Sequence, residues 1–93
     1  MPPIDLSVPA DVPEQITLTD KEGKVSFASG PAMYTATFRQ GWLECWDRHS
    51  KGEQGVLTKD SEPALVQEYG IEARGRLDGF NGCKAALIAR NRP

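Results

Sequence analysis

Between Ala32 and Asp47 the chain reads A-M-Y-T-A-T-F-R-Q-G-W-L-E-C-W-D, and how this stretch pairs decides the fold. Gln40 and Gly41 stand between two runs dotted with apolar residues. Glycine takes the positive φ of a two-residue hairpin turn at no steric cost. With the turn at Gln40-Gly41, the stretch is expected to fold as two antiparallel strands. Phe38 then lies opposite Leu43, Ala36 opposite Cys45 and Thr35 opposite Trp46. Side chains alternate between the faces of a strand. One face collects Tyr34, Ala36, Phe38, Leu43 and Cys45 and is the natural core face. The other collects Thr35, Thr37, Arg39, Trp42, Glu44 and Trp46, and so holds both tryptophans of the chain. Aromatics beside an arginine have the composition of a protein-binding surface. Trp42, Trp46, Arg39 and Glu44 are therefore the expected partner-binding residues; the competing reading is that the helix or the N-terminal arm covers this face, because aromatics dominate cores as well as interfaces. A one-residue slip would exchange the two faces.

Working outward, Gln15–Thr19 and Lys24–Ala28 read as a hairpin around Asp20-Lys21-Glu22-Gly23, with Leu18 facing Val25 and Ile16 facing Phe27. Ser29-Gly30-Pro31 reads as a break before the central hairpin. Arg48 to Gly55 is polar with two glycines, a solvent loop, and Val56–Thr58 suits a short strand. Asp60-Ser61-Glu62-Pro63 has the capping residues and early proline of a helix start, so one short helix is expected around residues 61–69, stopping at Gly70. Ile71 to Leu77 alternates apolar and polar residues, as a strand does. Asp78-Gly79-Phe80-Asn81-Gly82 carries two turn signals. Cys83 to Arg90 suits a helix by its three alanines and Leu87, but as a strand it pairs back with every facing pair apolar, Leu77 opposite Cys83 and Ala73 opposite Leu87, and the strand is preferred. The expected fold is α+β: a twisted, mostly antiparallel sheet of five to seven strands with one helix packed on it.

Residues 1–13 hold four of the seven prolines. Proline removes backbone donors, so this segment is an extended arm, and residues 14–93 form the single α+β domain. Ninety-three residues allow one domain. A composition of 39% hydrophobic and 26% charged residues is that of an ordinary globular chain. No apolar run approaches the roughly 20 residues that span a bilayer, and no signal peptide is visible. A cytoplasmic location without membrane contact is the expectation. Cys45 and Cys83 then read as free buried thiols.

Catalytic motifs are weak. Asp47, His49 and Ser50 supply the residue types of a hydrolytic triad, but such triads are assembled on a frame from separate places. Cys45, His49 and Cys83 lack the paired spacing of a zinc site. The turn at Asp20 is too short for a calcium loop, and no phosphate-binding glycine motif is present. No cofactor, metal or enzymatic activity is expected. The leading expectation is a small non-enzymatic protein-binding module of the kind that phages and mobile elements use to inhibit a larger host complex. The alternative is a nucleic-acid-binding protein. Arg74, Arg76 and Lys84 would share one sheet face, with Arg90 and Arg92 nearby, and could follow a phosphate backbone. The pI of about 5.3 weighs against it.

Overall fold

The computed structural model describes residues 1–64 and 70–91. Two strands, β1 (Gln15–Thr19) and β2 (Val25–Ser29), are followed by two helices, α1 (Gly30–Ser50) and α2 (Ile71–Arg90). The α+β class holds loosely, but the large sheet does not exist: among the described residues the only sheet is the two-stranded β1–β2 hairpin.

The central stretch is not a hairpin. Residues 32–47 lie inside α1, which is 21 residues long. Tyr34, Phe38, Trp42 and Cys45 are all buried. Their spacing of four, four and three is that of one helical stripe. The Ser29-Gly30-Pro31 break is the helix start: the Ser29 hydroxyl accepts from the Ala32 N–H at 3.2 Å, and the proline occupies the first turn. The expected strands at 71–77 and 83–90 are likewise parts of α2, which is continuous through Asp78-Gly79-Phe80-Asn81-Gly82. Val56–Thr58 forms turns rather than a strand, and residues 61–64 are not helical. The remainder of the expected short helix, 65–69, lies outside the described residues.

Glycine explains how these helices pack. Gly75 packs against Tyr34 and Thr37, Gly79 against Phe38, and Gly82 against Trp42. The contacts advance together along both chains, so α1 and α2 run parallel. The long connection between them must therefore return along the pair, and its bonds trace that return. Arg48 Nη1 donates to the Glu62 carbonyl at 2.9 Å, and the Ala64 N–H donates to Glu44 Oε2 at 2.9 Å. A Cβ added to Gly79 would fall 1.9 Å from the Phe38 carbonyl oxygen, and one on Gly41 would fall 2.0 Å from that of Arg76. Only glycine lets the two backbones approach this closely. Glycine inside a helix costs about 0.5–1 kcal/mol relative to alanine. Close packing of Phe38, Trp42, Phe80, Cys83 and Leu87 offsets that cost.

The arm belongs to the body of the molecule. It runs back along the helices, with Pro2 accepting from Trp42 Nε1 at 3.2 Å and Asp11 paired with Arg74 at 3.0 Å. Val12 is buried, and Ile4 and Leu6 pack on the core. The molecule measures 51 × 26 × 19 Å with a radius of gyration of 14.7 Å. A compact chain of this length has about 12 Å.

Candidate functional site

The expected Trp face is taken apart by the helix. Trp42 is 2% exposed, lies 5.9 Å from the Phe38 ring and is held by its bond to Pro2. Trp46 is half-buried with its ring 6.1 Å from that of His49. Arg39 is exposed. Glu44 is occupied by Ala64 and lies 3.8 Å from Arg48. The strand geometry that would have gathered these four residues on one face is absent.

The basic residues also separate. Arg74 makes two 3.0 Å bonds to the Asp11 carboxylate, which is held below its usual pKa mainly by that bond. Arg76 donates to Gln40 Oε1 at 2.8 Å. Lys84 is only 7% exposed; its ammonium donates to the Thr58 and Ser61 carbonyls at 3.1 and 2.9 Å. It fastens the returning connection to α2 and faces no solvent groove. Arg90 is exposed near the arm, and Arg92 lies outside the described residues.

Asp47, His49 and Ser50 lie in the last turn of α1. Asp47 pairs with Lys51 at 2.9 Å, and the Ser50 hydroxyl donates to the Asp47 backbone carbonyl at 3.0 Å. Cys45 and Cys83 are free and buried. Burial raises the Cys45 thiol and pushes Cys83 up to about 12, away from the thiolate a nucleophile needs. Among the described residues no three metal-ligating side chains converge, and no helix is long and apolar enough to cross a membrane.

What the sequence reading missed is the outer face of the hairpin. The observed register is Thr17 opposite Phe27, Thr19 opposite Val25, and Leu18 opposite Ser26. This is one residue away from the expected pairing. The turn is the cause. Gly23 has φ +79°, its N–H donates to the Asp20 carbonyl at 3.1 Å, and the Asp20 N–H donates to Lys24 O at 3.0 Å. Asp20 Oδ1 further accepts from the Glu22 and Lys24 N–H groups at 2.9 and 2.8 Å. This is a three-residue loop closed by a left-handed glycine, not a four-residue one. The slip sends Val25 and Phe27 to the face opposite Ile16 and Leu18, where they are 53% and 65% exposed. D-K-E-G carried the signal: an aspartate before a turn with glycine in its left-handed position.

Two concavities flank these elements. One, of about 740 Å³, lies between the start of the arm and the C-terminal half of α2, over Trp42 and Ala86. The other, of about 480 Å³, lies between β1 and the start of α2, where Ile16 and Leu18 face Ile71 and Glu72. Comparison with protein-family models, with curated proteins and with solved structures found no significant match.

Proposed function

We propose that the protein is a non-enzymatic protein-binding module that engages its partner through the β1–β2 hairpin. The observation that carries this reading is the exposure of Phe27 and Val25 on a two-stranded sheet. An isolated hairpin is marginally stable in water and gains stability by adding strands or covering its apolar face. Aromatic anchors at such a face are the residues that dominate binding energy. The ten strand positions contain no charge and no proline. These are the devices by which proteins normally blunt an open edge. Two buried free thiols fit a reducing, cytoplasmic setting.

Capture from the lysate of the source cells, with wild type and Phe27→Asp side by side, tests the reading. The wild type is expected to retain a partner that the variant loses, while both show the same circular dichroism. Equal capture by the two, or capture by neither, overturns the assignment of this surface.

A further inference from the structure

The groove face of the hairpin has a more specific pattern, and the inference drawn from it rests on the hairpin being the binding element. The Asp20–Lys24 and Glu14–Gly30 backbone bonds fix the two ends of the ladder. Bonded and non-bonded pairs alternate in an antiparallel ladder. Residues 16 and 18 of β1 therefore bond to β2, while Gln15, Thr17 and Thr19 point their N–H and C=O groups away from it. Among the described residues no strand pairs with that edge.

Side-chain alternation places Ile16 and Leu18 on one face of β1, and the bonded pairs Glu14–Gly30 and Asp20–Lys24 that flank the strand carry the same alternation to Glu14 and Asp20. Ile16 and Leu18 line the groove that Ile71 and Glu72 close from the other side. Along the strand the face reads acid, apolar, apolar, acid, with a further acid across the groove. Lys24 lies beside Asp20 on the same face, and the start of α2 contributes the partial positive charge of a helix N-terminus. Three carboxylates still outweigh one ammonium and that partial charge.

We infer that β1 accepts an extended peptide as a third, antiparallel strand in this groove, and that the peptide alternates, with basic residues flanking two apolar ones. Its apolar side chains would enter beside Ile16, Leu18 and Ile71. Its bases would meet Glu14, Asp20 and Glu72. Main-chain bonds to Gln15, Thr17 and Thr19 would supply the affinity, and the alternate side chains the specificity.

The probe is the capped peptide Lys-Thr-Val-Thr-Ile-Thr-Lys, titrated into the full-length protein labelled with ¹⁵N. Hydrogen exchange at the Thr17 amide is expected to slow on saturation. The analogue with both lysines replaced by glutamates is expected to bind roughly tenfold more weakly at low salt. The hydrogen-bond pattern gives a sharper test that leaves the protein untouched. N-methylation of the central threonine, whose N–H faces β1, is expected to abolish binding. N-methylation of the valine, whose N–H faces away, is expected to leave it intact. Thr17→Pro should act as the first modification does, and Thr17→Ala should bind normally.

An unprotected Thr17 amide, indifference to the methylated position, or stronger binding of the acidic analogue overturns the inference. So does slowing of Thr17 exchange that follows protein concentration without peptide, which would make a second copy the occupant. The cellular capture with Phe27→Asp is read beside the peptide titration on the wild type. If that variant loses its cellular partner while no peptide binds, the hairpin reading stands and this inference alone falls.

Discussion

In the helix pair one added methyl group has nowhere to go, whereas on the hairpin a whole phenylalanine ring stands in water. A Cβ on Gly79 would overlap the Phe38 carbonyl at 1.9 Å, and Phe27 is 65% exposed. The two regions are adjacent, since β2 runs directly into α1 through Ser29 and Gly30. The helices bury matched faces against each other, while Leu43 and Leu77 stay exposed on their outer sides. The hairpin makes little use of its own apolar residues for stability, and that is what leaves them available. Recognition in this molecule is expected where packing is incomplete.

The largest expected effect is in the helix pair. Gly79→Ala should cost at least about 3 kcal/mol, at the upper end of what overpacking a core costs. The clash is with backbone, so no side-chain rotation relieves it and the helices must separate. The gain in helix propensity, about 1 kcal/mol, does not offset this. At about 4–8 °C per kcal/mol for a domain of this size, thermal unfolding should shift down by more than about 12 °C. Gly82→Ala is the graded control. Its Cβ would meet the edge of the Trp42 ring at 2.9 Å, which a small ring movement can relieve. If Gly79→Ala melts like wild type, the parallel helices are not in backbone contact.

That same contact explains why the helices were hidden in the sequence. Gly41, Gly75, Gly79 and Gly82 lie inside the two helices, and glycine read locally signals a turn. Tyr34, Ala36, Phe38 and then Leu43, Cys45 alternate well enough to mimic strands. Yet Tyr34, Phe38 and Trp42 are also spaced by four, and length should have decided, because the helical stripe continues well past strand length. The tertiary reason for each glycine is a residue some 35 to 41 positions away (Gly41 against Arg76, Gly79 against Phe38). No local rule holds that information. By contrast the β1–β2 hairpin was legible from D-K-E-G and its flanking strands. Only its register failed, and with it the identity of the exposed face. The candidate site thus stands one residue of register from the local pattern: a four-residue turn would put Phe27 on the side of Ile16, and the three-residue turn puts it on the other.

A smaller effect separates the two regions by pH. Tyr34 donates to Asp78 Oδ2 at 2.6 Å, and burial with that carboxylate raises its pKa from 10.0 to about 12. Burial raises Cys83 from 9.0 to about 12. Both groups are neutral when protonated, and the fold favours that form. Their contribution is fully present below the unfolded values and is lost as pH climbs through the folded ones. Denaturant unfolding of the helix body should therefore weaken from about pH 9 towards pH 12, with the Tyr34 share, roughly 2–3 kcal/mol, falling between 10 and 12. Tyr34→Phe should flatten that upper part while leaving the Cys83 part. A flat profile in the wild type would show that neither group titrates with unfolding.

The smallest effect belongs to the hairpin and is informative because it is small. Phe27→Thr places a β-branched residue, well suited to a strand, at this position and removes a ring that is mostly in water. Exposed substitutions of this kind change stability by about 0.5 kcal/mol or less. The melting transition should stay within about 4 °C of wild type. Amide exchange should add the spatial contrast: β1 and β2 amides opening locally at low free energy, and those of Phe38, Cys45 and Phe80 exchanging only on global unfolding. A large loss of stability in Phe27→Thr would mean that the ring is a packing residue after all. The exposed face would then have a structural occupant, and the division of labour between the two regions would disappear.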